Sequence, residues 1–202
     1  MPTAARAVPE GRPSPRSRYS SVAMALHWVI ALAIGAQIAL GWYMGDLEDH
    51  SPAQRTFEGV HISLGLTILL LTLARVAWGL AHRAPPLPPS MARWERRLAG
   101  AVHSLFYVML FALPLSGWVM ESIGPRPIPF WGLAWPHFPA LGALLHGADS
   151  RAVKKTLEEV HGSPMVWTMI ALVGLHTVGA IKHQFDGSPV LWRMAPFLKR
   201  PG

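Results

Sequence analysis

Five histidines lie inside long apolar segments of this chain, where an unpartnered imidazole is costly. They are His27, His61, His103, His161 and His176. Moving a polar ring out of water without a hydrogen-bond or metal partner costs a few kcal/mol. The chain contains no cysteine, which excludes thiolate metal sites and iron–sulfur clusters and leaves imidazole as the natural transition-metal ligand. The histidines are therefore the residues whose chemistry has to be explained.

Four windows without Asp, Glu, Lys or Arg carry these histidines. They are Val22–Trp42, Gly59–Ala74, Leu98–Met120 and Val160–Ile181. Each approaches the length of about 20 residues that a helix needs to cross the hydrocarbon of a bilayer. The first window is too long for a signal peptide and lacks the small-residue cleavage pattern. The sequence therefore predicts an all-α membrane protein, a bundle of four transmembrane helices.

The basic residues are distributed unevenly around these windows. Twelve of the 18 Lys and Arg precede the first window, lie between the second and third, or follow the fourth, and five lie in the other two connections. The positive-inside rule then predicts that both termini are cytoplasmic. This topology accounts for most of the net charge of +7. Because no basic-aromatic signature of a nucleic-acid-binding fold accompanies the charge, no nucleic-acid partner is expected.

The predicted topology sorts the five histidines into two layers. His61 and His161 each begin a helix on the non-cytoplasmic side, whereas His27, His103 and His176 lie toward the cytoplasmic side. His161 and His176 are fifteen residues apart, which in an α-helix is a rise of about 22 Å and a rotation of about 60°. One helix can therefore serve two stacked metal centres.

The layers favour two iron centres, each with two imidazole ligands, as in b-type haems. Isolated histidines in a span can instead hydrogen-bond a neighbouring helix. A proton relay would need intramembrane carboxylates, which the windows lack. A zinc site would need three or four ligands at one depth. The spacing alone does not decide which two of the three inner histidines bind iron.

The second span continues past Arg75 with the apolar residues VAWGLA, so Arg75 is the only charged residue inside a predicted span. It follows His61 by fourteen residues, so it lies about 21 Å deeper, near the inner layer. An intramembrane guanidinium requires an anionic partner, and a haem propionate offers a bidentate one. The alternative is that the side chain extends to the cytoplasmic interface.

A set of motifs resembles the prokaryotic cytochrome b561 family. In order, the motifs are RYSSVAMALHW, VHISLGLTILLLTLARVAWGL, RAPPLPP, WERRLAGAVHSLFYVMLFALPLSGWVM, FWGLAWP, LHTVGAIKHQF and RMAP. The resemblance covers about residues 18–198 and implies a four-helix domain of the bacterial inner membrane with two haem b groups. Residues 1–17, rich in Pro, Ser and Arg, are predicted to be a disordered basic tail, and residues 199–202 a short tail.

The resemblance also implies the ligands. The inner haem would use His27 with His176, and the outer haem His61 with His161. His103 is then expected to contact a propionate or a quinone. The chain departs from the family pattern around His161, because fourteen residues rather than fifteen are expected between the two histidines of the last helix, and because Pro164 lies in the first turn.

The resemblance implies that single electrons pass between the two haems, from a periplasmic donor to ubiquinone. One branch of the family is associated with superoxide oxidation, so a superoxide:ubiquinone oxidoreductase is the leading enzymatic interpretation, and superoxide, another small molecule or a protein is the donor. The alternative is a cytochrome b subunit that anchors a larger dehydrogenase or hydrogenase complex. A membrane protein whose histidines only pack is the third interpretation.

His183 and Lys182 are candidates for a quinone site. His183 lies about 10 Å beyond His176 on nearly the same helical face. Quinone reduction consumes protons, and an imidazole titrates near neutral pH, while the Lys182 ammonium could orient a quinone carbonyl. Both could equally be interfacial anchors. At the other side, Arg151, Lys154 and Lys155 could attract an anionic donor, although Glu158 and Glu159 adjoin them.

Overall fold

The computed structural model describes residues 18–139, 141, 145, 149–186, 188 and 190–198. The predicted tails at 1–17 and 199–202 lie outside the described residues. The helices are α1 (Ser21–Gly45), α2 (Pro52–Ala81), α3 (Arg93–Ile123), α4 (Ser150–Val160) and α5 (Val166–Phe185), with a π-helical turn (His161–Met165) between the last two and a 3₁₀ turn at Leu191–Arg193. We call the end where α1 begins the inner end and the end where α2 begins the outer end.

Four helical segments are long and apolar enough to cross a membrane, with α4, the π turn and α5 counted as one segment of 36 residues. At 1.5 Å per residue that segment is about 54 Å long, more than the hydrocarbon thickness of about 30 Å, so we expect the charged residues of α4 to lie outside the hydrocarbon. The prediction of an all-α, four-helix, multi-pass membrane protein is confirmed. The sides on which the termini lie remain a prediction.

Polar side chains define where the helices begin. Ser20 accepts a hydrogen bond from the backbone of Ala23 at the start of α1, and Ser51 accepts one from Gln54 before Pro52 opens α2. At the start of α3 a Glu95 carboxylate accepts from the backbone of Ala92. Each bond satisfies an amide that has no partner within its helix. The observed helices therefore extend beyond the apolar windows into flanking polar sequence.

The π-helical turn explains how the last helix accommodates its fifteen-residue spacing. A π turn contains about one residue more than an α turn, so it adds a residue without rotating the helix that follows. His161 and His176 are then separated by about 40° around the axis instead of about 60°. Pro164, which lies inside the turn, has no N–H and could not join a regular α-helical ladder.

A buried apolar cluster joins the helices at mid-depth. It consists of Ile30, Ile68, Val102, Met109, Leu110, Met169 and Leu172. Along α5, Met169 and Leu172 lie between His161 and His176, so the cluster separates the two layers of histidines. Many other large apolar side chains remain exposed, such as Leu32 and Leu80, which is expected of helices that face lipid rather than water.

A short β-hairpin follows α3 at the outer end. Its strands, β1 (Ile128–Phe130) and β2 (Leu133–Trp135), are antiparallel, with Ile128 paired to Trp135. Trp131 and Gly132 at the tip both have positive φ, as a tight type I′ turn requires. The Trp131 backbone and indole donate to Ser63 and Thr67, which fixes the hairpin against α2.

The residues after α5 fold back over the inner end. Trp192 and Ala195 are buried. The Trp28 indole donates to the Met194 carbonyl at 2.9 Å, and the Arg18 guanidinium donates to the Ala195 carbonyl. This segment therefore closes the bundle next to His27.

Candidate haem-binding sites

The outer site is formed by His61 of α2 and His161 of the π turn. Their ring centroids are 6.3 Å apart, with an interplanar angle of 65°. Both rings line a cavity of about 400 Å³ that is otherwise bounded by α1 and α3. The structure therefore brings together the two histidines that the sequence assigns to the outer layer.

The inner site contains the other three histidines. The ring centroids of His27 and His176 are 6.0 Å apart, and His103 lies 5.3 Å from His176, at right angles to it. The imidazole of His103 is exposed, and its Nδ1 lies 2.6 Å from the Ala99 carbonyl of its own helix. The predicted inner layer of three rings is therefore present.

The spacing of both pairs suits a single metal ion between two imidazoles. A metal–imidazole bond is about 2.0 Å long and a ring nitrogen lies about 1.2 Å from its centroid, so two rings on opposite sides of one ion have centroids about 6.4 Å apart. The observed 6.3 Å and 6.0 Å lie close to this value. The buried Nδ1 of His61 has no hydrogen-bond partner among the described residues.

Two glycines leave room beside the outer rings. A Cβ atom added to Gly41 would lie 3.6 Å from Cε1 of His61, and one added to Gly117 would lie 3.5 Å from Cε1 of His161. Both glycines line the outer cavity, where larger side chains would compete for its volume. The cavity, the glycines and the paired rings together fit a flat metal-containing group such as haem.

Two polar residues that the sequence analysis did not single out contact the outer pair. The hydroxyl of Ser116 lies 2.8 Å from Nδ1 of His161, and the Gln37 amide donates to the backbone carbonyl of His61 at 2.9 Å. Both lie within otherwise apolar windows. A polar side chain in such a window needs a partner, and that signal could have found them.

Arg75 lies near the inner pair, as its position along α2 predicts. Its guanidinium donates to the Ala23 carbonyl at 2.9 Å, one turn before His27. Arg75 lines a cavity of about 170 Å³ together with Arg18, Arg83 and His103. Within the described ranges no carboxylate lies within 4.0 Å of Arg75, so the cavity is suited to an anion.

Lys182 and His183 belong to a polar network at the inner end. The Lys182 ammonium lies 2.6 Å from Glu95 and 3.0 Å from Asp186, and Nδ1 of His183 lies 2.9 Å from the same Asp186 carboxylate. The hydrogen bond from Lys182 lowers the pKa of Asp186 below its usual value. His183 is buried, whereas the side chain of Lys182 is 52% exposed. The two candidates therefore share one acidic partner.

The outer cavity is lined by acidic rather than basic side chains. Glu58, Glu121 and Glu158 contribute to its wall. Of the lysines expected to attract an anion, Lys154 lies 3.8 Å from Glu158 and Lys155 lies 4.0 Å from Glu159. These pairs reduce the positive potential that either lysine could offer to a negatively charged donor.

The fold and the stacked histidine layers define a class of protein, the membrane-embedded b-type cytochromes. The chain belongs to the prokaryotic cytochrome b561 family, whose model matches residues 18–197. It is therefore a multi-pass membrane protein of electron transfer, and the family implies haem b as its cofactor.

Two relatives show the extent of the similarity. The chain is 29% identical to cytochrome b561 homolog 2 of Escherichia coli (strain K12) over 178 residues, which cover 88% of this chain and 90% of that protein. It is 28% identical to the probable superoxide oxidase CybB of Yersinia pestis over 171 residues, 83% of this chain and 89% of that protein. The similarity therefore extends over most of the length of each protein.

Proposed function

We propose that this protein carries single electrons across the bacterial inner membrane through two haem b groups, from a donor at the outer end to ubiquinone. The observation that carries the proposal is the stacking of two histidine pairs, with centroids 6.3 Å and 6.0 Å apart, along one helix. Each haem supplies a one-electron couple. Two centres at different depths turn the bundle into a transmembrane path for electrons.

The proposed axial ligands are His61 with His161 for the outer haem and His27 with His176 for the inner haem. The centroid distances of the two pairs, 6.0 Å and 6.3 Å, and the resemblance described above support this assignment. His103 has its Nδ1 engaged by the Ala99 carbonyl and lies on an exposed face, so we assign it a contact with a propionate or quinone. Arg75 and its basic cavity would hold a propionate of the inner haem.

The proposed orientation places the inner end in the cytoplasm. The connections and termini at that end carry twelve basic and three acidic residues, whereas the outer end carries five basic and eight acidic residues. This asymmetry follows the positive-inside rule. Both termini would then be cytoplasmic, and the outer haem would receive electrons from the periplasmic side.

The proposed acceptor site lies at the inner end, near His183. Reduction of ubiquinone to ubiquinol consumes two electrons and two protons. His183 is buried and hydrogen-bonded to Asp186, so the pair could pass protons from the cytoplasm to a bound quinone. Lys182 remains a candidate for orienting a quinone carbonyl, although it would first have to break its ion pair with Glu95 or Asp186.

Superoxide is one candidate donor, suggested by the name of the relative from Yersinia pestis. Oxidation of superoxide to dioxygen releases the single electron that one haem accepts. The acidic lining of the outer cavity, however, disfavours the approach of an anion. A neutral small molecule or a protein with a basic surface would meet no such barrier.

The test is the haem content and the reduced-minus-oxidised spectrum of detergent-purified protein beside His27→Ala and His61→Ala. We expect two b-type haems per chain in the unmodified protein and the loss of a different one in each variant. Well-folded protein without haem would overturn the proposal, and a single haem would overturn its two-centre form.

A partner-dependent role is the second candidate, because the hairpin presents apolar surface. Trp131 and Leu133 at its tip are 55% and 71% exposed, and a dehydrogenase or hydrogenase subunit could cover them. Affinity purification of the tagged chain from its native membranes distinguishes the two roles. A stoichiometric soluble subunit would favour the anchor role, whereas reduction of quinone by the isolated chain would favour the independent carrier.

A further inference from the structure

We infer that Ser116 of α3 is a positioning residue that fixes the tautomer and strengthens the donor character of His161, and so tunes the reduction potential of the outer haem. The inference rests on the proposed function, because it requires that His161 bind iron. It assigns a role to a helix that supplies none of the four proposed ligands.

The hydrogen bonds around Ser116 determine which ring nitrogen of His161 carries the proton. The Ser116 hydroxyl donates to the Leu113 carbonyl at 2.8 Å, and a hydroxyl has a single proton to donate. With that proton directed at Leu113, the hydroxyl oxygen is left to accept the hydrogen bond from Nδ1 of His161, which lies 2.8 Å away, and this assignment of the protons is the premise of the inference. With Nδ1 protonated, the lone pair of Nε2 is free for a metal.

The sequence around Ser116 supplies both the acceptor and the space for the ring. The hydroxyl bonds the carbonyl of its own helix three residues back. Gly117, the next residue, allows the His161 ring to approach so that an added Cβ would lie 3.5 Å from Cε1. Ser116 therefore contacts the imidazole at its nitrogen, and Gly117 leaves space for its carbon edge.

The other ring of the outer pair lacks such support. Nδ1 of His61 is buried without a hydrogen-bond partner among the described residues, and Gln37 contacts the backbone of His61 rather than its ring. The two proposed ligands of the outer haem are therefore inequivalent. Of the two, His161 is the one whose donor strength a side chain controls.

An acceptor on the non-ligating nitrogen makes an imidazole a more basic ligand and fixes its orientation. A more basic ligand stabilises the oxidised iron, which lowers the reduction potential. Ser116→Ala removes the acceptor, so the outer haem should become easier to reduce. The affinity of the outer site for haem should also fall, by roughly tenfold.

The experiment is a potentiometric titration of both haems in Ser116→Ala, Ser116→Thr and Ser122→Ala. Ser116→Thr keeps a hydroxyl at the same place. Ser122 lies on the same helix but bonds Trp118 and Phe138, so it is the matched control. An unchanged potential of the inner haem shows that each variant is folded.

We expect Ser116→Ala to raise the potential of the outer haem, or to release that haem, while the inner haem is unchanged. Ser116→Thr should restore the original behaviour and Ser122→Ala should not alter it. If Ser116→Ala keeps both haems and the reduction potential of the outer haem does not change, this inference is overturned while the proposed function still holds. If the unmodified protein does not contain two haems, the proposed function is overturned instead. If Ser116→Ala does not fold, Ser116→Cys, a weaker acceptor, should give a smaller shift in the same direction, and no shift would again refute the inference.

Discussion

The ammonium of Lys182 lies 2.6 Å from a carboxylate oxygen of Glu95, which joins the last turn of α5 to the first turn of α3. The other oxygen of Glu95 accepts a hydrogen bond from the Ala92 backbone, so one carboxylate both caps α3 and binds α5. The inner end of the bundle is therefore fastened by a contact between residues that are 87 positions apart in sequence.

The first prediction distinguishes two roles of Lys182, stabilising the contact between α3 and α5 and binding quinone. Lys182→Met removes the pairs with Glu95 and Asp186, whereas Glu95→Gln removes only the interhelical pair. We therefore expect both to lower the apparent unfolding temperature, Lys182→Met by more. High salt should reduce the difference from the unmodified protein, because the Lys182 side chain is 52% exposed and salt screens exposed charges. Thermal unfolding in detergent measures this. A KM for a soluble ubiquinone analogue that rises in Lys182→Met alone would show that the lysine also binds quinone.

The second prediction concerns acid stability at Asp186. Its pKa is lowered in the folded protein, first by the hydrogen bond from Lys182, so its stabilising contribution is present above the pKa of the unfolded state. That contribution is lost as the pH falls through the lowered pKa of the folded state. We expect Asp186→Asn to be less stable than the unmodified protein near neutral pH, and the difference to shrink in acid. A difference that does not change with pH would contradict this.

The third prediction uses the glycines beside the outer rings. Gly117→Leu should fill the space next to His161 and abolish the outer haem while the inner haem remains. Gly174→Leu is the matched control, because nothing lies within 4 Å of a Cβ at that position. Haem content measured by absorbance decides the outcome, and full retention of both haems in Gly117→Leu would show that the flat group lies elsewhere.

The fourth prediction tests the π-helical turn. Deletion of Ser163 together with Pro164→Ala should convert the turn into a regular α-helix without rotating the flanking segments, so both haems should remain. Deletion of Val173 from the regular part of α5 removes about 100° of rotation and should cost one haem. The haem content of the two variants, measured from their absorption spectra, tests this prediction. Loss of the outer haem from the first variant would mean that the turn itself shapes the site.

The fifth prediction concerns the charge of the donor. If superoxide reduces the outer haem, the acidic residues around the cavity should slow its approach, so the rate should rise with ionic strength. Glu121→Gln should raise the rate at low salt. Pulsed generation of superoxide with optical detection of haem reduction measures both effects. A rate that falls with added salt would show that positive charge attracts the donor.

The helices and the depth of each histidine could be predicted because both depend on local sequence. The apolar length sets the spans, and the rise per residue places His61, His161 and Arg75 along them. Contacts between distant positions could not be read in the same way. Ser116 meets His161, and Glu95 meets Lys182, only after the helices have packed in a particular rotation, which many side chains determine together.

The π-helical turn shows a different limit. The fifteen-residue spacing and Pro164 indicate irregularity near His161, but an extra residue can be absorbed by a kink, an overwound turn or a π turn. Their energies differ by amounts that depend on neighbouring helices. The hairpin was missed for a related reason, since strands of three residues are held by Ser63 and Thr67 of another element.

His161 and His176 lie on one continuous helical segment, so both sites depend on the position of the same helix. Fixing that helix for one site also fixes it for the other. The first cofactor to bind would restrict the tilt and rotation of that helix, and the second would then meet a partner with less conformational entropy to lose. Incorporation of cofactor should consequently be cooperative. Under limited supply, fewer chains would hold a single group than independent binding would give.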